Sequence, residues 1–207
     1  MALWGAFGIG TNSVNVRHAC EAALAQQRAV DRLNTTVFSK HSITLRVRMG
    51  INLGSAIVGN IGSLGKKIEF TALGDSVNLA SRLEGINKIY GTRILISESV
   101  YAEITDTMVT RRLDRIRAKG KTQSVRLYEL FGKKSEVEES TIAFIERFES
   151  ALEHYDHAEF PEAAEKFTQI LAEYPEDRPT AVLLARAREY AVTPPESWDG
   201  AFVMTEK

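Results

Sequence analysis

An amide and a guanidinium lie four residues apart in the segment EFTALGDSVNLASRLEG, residues 69–85. On a helix, Asn78 and Arg82 would project from the same face, next to an apolar stripe. The amide can donate or accept hydrogen bonds, and the guanidinium is always charged and carries five donors. The pair is therefore suited to binding a phosphate or developing negative charge. Spacing alone favours a solvated helix face, because both residue types are common on surfaces.

The helix that carries this pair has recognisable limits. Gly74 and Asp75 form a turn ahead of it, and Asp75 is predicted to be its N-cap. A brief strand, residues 68–71, is predicted just before that turn. The buried stripe of the helix is predicted to be Leu79, Leu83, Ile86 and Tyr90. The candidate pair therefore belongs to a strand, a tight turn and a helix in succession.

The surrounding pattern predicts a mixed α/β domain. Apolar residues at three- and four-residue steps predict a long amphipathic helix between Val16 and Val37. Alternating apolar residues predict a strand from Leu45 to Leu53. With the short apolar run at residues 56–58, it is expected to form a hairpin or a bulged pair of strands. More strands are expected at residues 93–96, 109–118 and 125–131. The strand at residues 109–118 carries four arginines that are predicted to form its exposed side: Arg111, Arg112, Arg115 and Arg117. The alternative is that these arginines contact a triphosphate or an acidic partner.

Bulk composition narrows the class of protein. With 207 residues, 44% of them hydrophobic, and a formal net charge of -1, the chain can bury one ordinary core and is expected to be soluble. That charge balance argues against nucleic-acid binding by phosphate neutralisation. No apolar run reaches the roughly 20 residues of a membrane span, and no signal peptide is recognisable. The single cysteine, Cys20, predicts a structural residue in a reducing, cytoplasmic setting.

A change of composition at Lys133 predicts a second region. Residues 134–207 are expected to form a helical extension, in contrast to the α/β pattern of residues 1–133. Ala163, Phe167 and Pro175 fall at tetratricopeptide-repeat offsets. One partial match does not make a repeat array, so a small helical cap with an extended tail docked through Trp198 is the simpler prediction.

Three strings in residues 45–130 carry a family resemblance: RVRMGINLGSAIVGNIGS, FTALGDSVNLASRLE and AKGK. They strongly resemble the class III nucleotidyl cyclases, which make cyclic AMP or cyclic GMP, and the string GDSVNLASRLE is highly specific for that family. The resemblance implies an α+β, ferredoxin-like fold. It covers the second half of the cyclase domain, so the domain is expected to be incomplete at its N-terminus.

The resemblance assigns roles to four residues. Asn78 would orient the ribose, and Arg82 would reach the phosphate under attack. Lys121 would bind the triphosphate, and Thr71 occupies the position that reads the base. Threonine there favours ATP over GTP, because guanylate-specific members commonly carry cysteine.

The resemblance also implies two Mg²⁺ or Mn²⁺ ions held by two aspartates. Both aspartates are expected to lie before Met1, so this chain is predicted to hold no metal ligands. Family members dimerise head to tail, and each site is formed by two subunits. One subunit supplies the metal-binding aspartates, here called the metal half of the site. The other supplies the residues that stabilise the transition state, here called the transition-state half. The expected partner is a second copy of this chain in a head-to-tail homodimer, or a complementing cyclase subunit. Only the second would supply the missing aspartates, so the chain is expected to be inactive alone.

The leading hypothesis is an adenylate cyclase chain that carries the transition-state half of the site. The alternative is a noncatalytic dimerisation or regulatory module of cyclase fold whose helical tail binds another protein. Retention of Asn78, Arg82, Thr71 and Lys121 favours the first, because a scaffold has no physical need for all four.

Overall fold

The structure is a computed structural model that describes residues 1–5, 8, 10–62, 68–118 and 122–204. The chain divides into two compact units. One consists of Met1–Asn87 and Arg93–Asp106, and the other of Lys88–Thr92 and Thr107–Lys207. The predicted division at residue 133 stays a prediction.

The first unit is a mixed α/β structure. Its long helix α1 is followed by a short 3-10 helix, three strands, the helix that carries Asn78 and Arg82, a fourth strand and a short helix. The bounds are α1 Asn12–Thr36, the 3-10 helix Phe38–His41, β1 Met49–Ile51, β2 Ile57–Gly62, β3 Ile68–Leu73, α2 Asp75–Tyr90, β4 Ile94–Ser97 and α3 Glu98–Ile104. The predicted helices and the strands near residues 68 and 94 are confirmed, whereas α3 was not predicted.

Helix α1 begins where Thr11 caps it, since the Thr11 hydroxyl accepts a hydrogen bond from the Val14 backbone N–H. Its apolar face is buried from Val16 to Leu24, whereas Leu33 and Val37 are 42% and 44% exposed, and the helix contacts α3. Cys20 lies on that face, fully buried, and burial raises the pKa of its thiol to about 12. The prediction that Cys20 is a structural residue agrees with this burial.

The strand predicted from Leu45 to Leu53 is shorter in the structure, where β1 spans only Met49–Ile51 and pairs in parallel with β4. Side chains of α1 bind the backbone just before it. Asn34 bonds both the N–H and the C=O of Leu45, each at 2.8 Å, and Gln27 donates to the C=O of Val47 at 2.7 Å. Before β1, the backbone therefore forms hydrogen bonds with side chains of α1 instead of with a neighbouring strand.

The pairing predicted between the strand at residues 45–53 and the run at residues 56–58 is wrong, because β1 pairs with β4. Instead, β2 and β3 form an antiparallel hairpin. Four of its apolar side chains are more than half exposed: Ile57 at 75%, Ile68 at 55%, Phe70 at 60% and Leu73 at 52%. Ile57 and Leu73 are paired and share one face, whereas strand alternation places Ile68 and Phe70 on the other. Exposed apolar side chains of this kind are typical of a surface that meets another protein.

The second unit combines a β-sheet with three helices. Its elements are β5 Met108–Ala118, β6 Ser124–Lys133, α4 Glu139–Asp156, α5 Phe160–Glu173, α6 Arg178–Val192 and β7 Phe202–Met204. β5 and β6 form an antiparallel hairpin, and β7 pairs with β5 in parallel at residues 116–118. β7 lies within the stretch predicted to be an extended tail, but its pairing with β5 was not predicted.

The three helices pack in succession, α4 with α5 and α5 with α6. Ala163 and Phe167 are fully buried there, but a tetratricopeptide repeat stays a prediction. The predicted docking of the tail is present, because the Trp198 indole N–H donates to the C=O groups of Tyr155 and Asp156 at 3.2 and 3.1 Å. Its ring also packs edge-on against the Tyr155 ring.

The prediction that the arginines of β5 form a solvent-exposed side is wrong for Arg111, which is only 1% exposed. Its guanidinium donates to the carboxylates of Glu129 and Asp177, and it lies 4.5 Å from the centre of the Phe148 ring. A guanidinium so fully paired can be buried, and strand alternation alone does not reveal the partners.

Candidate functional site

The candidate site is built on α2 and the strand before it. Gly74 has a φ of 150° and joins β3 to the helix, whose first residue is Asp75. The C=O of Gly74 accepts the N–H groups of Val77 and Asn78 at 3.1 and 3.2 Å. Gly74, not Asp75, therefore takes the N-cap position, and the Asp75 carboxylate lies in the first turn, where the helix dipole favours it.

Asn78 and Arg82 lie one turn apart on α2, and both side chains are exposed. Within the part of the chain that the structure describes, neither makes a side-chain hydrogen bond or an ion pair. Leu83, next to Arg82, is fully buried. The helix therefore holds an amide and a guanidinium at the edge of its buried face, with their donors available to a ligand.

Of the other two residues predicted to belong to the site, the structure describes only Thr71. Thr71 lies on β3 opposite Gly59 of β2, and its side chain is half-buried. It precedes α2 by four residues. Lys121 lies outside the described residues.

Helix α2 is packed closely on β1 through Gly50. A Cβ added at Gly50 would lie 2.5 Å from the backbone nitrogen of Glu84 and 2.8 Å from the Cβ of Leu83, and closer still to the C=O oxygen of Ala80. The strand backbone thus approaches the helix backbone one half-turn from Arg82. Only glycine leaves room for this contact.

We therefore expect Gly50→Ala to lower the free energy of unfolding by about 3 kcal/mol or more, because rigid backbone atoms block the new methyl group. The matched control is Gly85→Ala on α2, where an added Cβ meets nothing within 4 Å. That change is expected to stabilise the protein slightly, since alanine favours helix over glycine by about 1 kcal/mol. Urea unfolding of both variants measures the difference, and equal stabilities would contradict the close approach.

Two asparagines that the sequence analysis missed also anchor α2. Asn87 is fully buried, and its amide donates to the C=O of Met49 at 2.9 Å and to that of Leu83 at 2.8 Å. Asn52 donates to the C=O of Ser76 at 3.0 Å. These bonds join the first and the last part of the helix to β1 and the segment after it. A polar residue within an apolar stripe, as Asn87 is, was the available signal.

The structure offers no metal site in the part of the chain it describes, since it brings together no group of three or more His, Cys, Asp and Glu side chains. No ligand set for the two divalent cations that the resemblance implies is therefore assigned among the described residues. No helix among the described residues is long and apolar enough to span a bilayer.

Residues 6–132 match the family model described as the adenylate and guanylate cyclase catalytic domain. Adenylate cyclase 1 of Rhizobium meliloti (strain 1021) is 38% identical over 131 residues, which cover 63% of this chain and 19% of that protein. The terminal-differentiation specific adenylate cyclase of Dictyostelium discoideum is 32% identical over 173 residues, or 82% of this chain and 8% of that protein. The chain thus spans a fifth or less of the length of these two relatives.

Solved structures show the same fold. The adenylyl cyclase CyaB from P. aeruginosa superposes with a TM-score of 0.56 at 28% identity, covering 65% of this chain and 68% of that one. The guanylyl cyclase Cya2 superposes with a TM-score of 0.51 at 26% identity, covering 64% and 65%. The predicted mixed α/β, ferredoxin-like fold class is confirmed by these likenesses.

Proposed function

The chain belongs to the family of adenylate and guanylate cyclase catalytic domains, and we propose that it supplies the transition-state half of an adenylate cyclase site. The observation that carries the proposal is the placement of Asn78 and Arg82 on α2, one turn apart and exposed. The reaction converts ATP into 3',5'-cyclic AMP and pyrophosphate.

The proposed roles follow from where charge develops. The ribose 3'-hydroxyl attacks the α-phosphorus, and negative charge grows on the nonbridging oxygens and on the departing pyrophosphate. The Arg82 guanidinium can donate to those oxygens, and the Asn78 amide can hold the ribose so that its hydroxyl attacks in line. Arg82 acts by its charge and Asn78 by its position, so neither needs to gain or lose a proton.

Two residues would select and hold the substrate. Thr71, on the strand before α2, would contact the base, and ATP is the substrate favoured by a threonine there. Lys121 would bind the triphosphate as a point charge. Both roles rest on the resemblance of the motifs. The reaction is proposed to take place in the cytoplasm, where ATP is available and a lone thiol stays reduced.

Members of the family generally use Mg²⁺ or Mn²⁺, which neutralise the triphosphate and activate the attacking hydroxyl. Since the described residues form no acidic cluster, we assign the metal half of the site to a second cyclase subunit. Cyclase domains function as dimers, and the exposed apolar side chains of the β2–β3 hairpin would be covered in such a head-to-tail pair. The isolated chain is expected to make little or no cyclic AMP.

A complementation experiment tests the proposal. The chain is mixed with a family cyclase that carries its metal-binding aspartates but has Arg→Ala at the position matching Arg82. Cyclic AMP production from ATP is then followed with Mn²⁺ present. We expect activity in the mixture and none in either protein alone, because each contributes one half of the site.

Absence of activity in a mixture shown by size-exclusion chromatography to contain the heterodimer would contradict the catalytic role. That result would favour the noncatalytic module, whose helical extension binds another protein. GTP in place of ATP serves as the control for base selection, and a higher rate with GTP would overturn the assignment of Thr71.

A further inference from the structure

Two arginines of α6 bind the carboxyl end of α2. We propose that α6 is a positioning element for the site: Arg178 and Arg186 fix the last turn of α2 and thereby hold the helix that presents Asn78 and Arg82. The inference rests on the proposed function and adds to it a role for the C-terminal helices in catalysis.

The first contact is made by Arg178, the first residue of α6. Its Nε donates to the C=O of Ile89 at 3.0 Å. That carbonyl lies in the last turn of α2, where helix C=O groups have no partner within the helix. A cation there is also favoured by the helix dipole. Arg178 thus supplies a hydrogen-bond donor to a C=O group that has no partner within α2.

The stem of Arg178 also covers Gly91, which follows α2 directly. Gly91 has a φ of +71°, the left-handed conformation that commonly ends a helix. A Cβ at Gly91 would lie 2.7 Å from the Cδ of Arg178 and 3.0 Å from its Cβ. The side chain therefore packs on the backbone at the point where α2 stops.

The second contact is buried. Arg186 donates to the Tyr90 hydroxyl at 3.2 Å and to the Asp114 carboxylate at 2.5 Å, and the Tyr90 hydroxyl also donates to Asp114. Tyr90 is 1% exposed and Asp114 2%. The Arg186 guanidinium lies 3.5 Å from the centre of the Phe202 ring, which closes the cluster on another side.

The two contacts together restrain the helix more than either alone. Arg178 and Arg186 are eight residues apart, about 12 Å along α6. A helix end held at two such points resists both rotation and sliding. Because α2 is one uninterrupted helix from Asp75 to Tyr90, rotation at its end would swing Asn78 and Arg82. Displacements of about 1 Å can lower a rate a hundredfold.

The match to one relative extends beyond the cyclase domain. The match to the Dictyostelium discoideum protein covers 82% of this chain, so it is not confined to residues 6–132 and takes in part of the helices that follow.

The test uses the full chain with two variants and a control. Tyr90→Phe removes the hydroxyl that Arg186 and Asp114 bind, but keeps the ring and the buried ion pair. Arg178→Ala removes the contacts with Ile89 and Gly91. The matched control is Arg188→Ala, an exposed arginine of the same helix that donates to Thr168 at 3.2 Å.

Hydrogen exchange of the α2 amides and the kinetics of the complemented enzyme are measured for each variant. We expect exchange in the last turns of α2 to rise about tenfold in both test variants and not in the control. The complemented kcat should fall about tenfold while KM changes less than about twofold, because substrate contacts are kept but the transition-state groups are misplaced. Arg186→Lys, which keeps the charge beside Asp114 but not the two-pronged donor geometry, should give an intermediate kcat.

The outcomes separate this inference from the proposed function. If the unmodified chain complements, and the test variants match Arg188→Ala in exchange and kcat, α6 does not position α2. If the unmodified chain fails to complement, the proposed function is wrong. Hydrogen exchange alone then tests whether α6 restrains the end of α2. Faster exchange in the test variants then supports the hold on α2, and unchanged exchange overturns it.

Discussion

Arg82→Ala is expected to lower the kcat of the complemented enzyme on the order of a hundredfold or more, with a smaller effect on KM. The guanidinium is exposed and makes no side-chain hydrogen bond or ion pair among the described residues, so its removal should not disturb the fold. What is lost is a charged donor to oxygens that gain charge only in the transition state, and one such donor is typically worth this factor. Steady-state kinetics of cyclic AMP formation measures it.

Two further variants make the result specific. Lys88→Ala removes an exposed positive charge from the same helix and should leave kcat within about twofold of the unmodified chain. Arg82→Lys keeps the charge but loses the planar, forked donor, so its kcat should lie between those of Arg82→Ala and the unmodified chain. If Lys88→Ala and Arg82→Ala lowered kcat equally, the effect would be one of general charge, and Arg82 would have no place at the reacting phosphate.

Arg111→Met is expected to lower the free energy of unfolding by about 3 to 5 kcal/mol, because it leaves two buried carboxylates without their cation. Arg111 bonds Glu129 at 2.6 Å and Asp177 at 3.0 Å, and the two acids are only 17% and 15% exposed. Burial raises the pKa of Glu129, and the Arg111 charge opposes that rise. Thermal or urea unfolding monitored by circular dichroism measures the loss.

The control for this prediction is Arg147→Ala. Arg147 pairs with Glu173 at 2.6 Å, but the two side chains are 43% and 55% exposed, so solvent should leave the pair with little effect on stability. High salt should weaken the Arg147 pair and leave the Arg111 cluster nearly unchanged. A loss at Arg111 no larger than that at Arg147 would mean that water reaches the cluster.

Elements whose apolar residues repeat with a regular period could be predicted from the sequence. The apolar spacing of α1 and α2 predicted both helices, and four-residue spacing put Asn78 and Arg82 on one face of α2. The motif around them was specific enough to indicate the family. These properties are local: they depend on residues within a few turns of one another, which a linear pattern records.

Features that depend on residues far apart in the chain became visible only in the folded protein. Arg111 follows the alternation of an exposed strand, yet Asp177, 66 residues later, allows it to be buried. Gly50 matters because α2 lies against it, and Tyr90 because Arg186, 96 residues later, reaches its hydroxyl. β7 exists because the chain returns to β5. Such pairings have no periodic signature, since the free energy that selects them arises only when distant segments pack and desolvate one another.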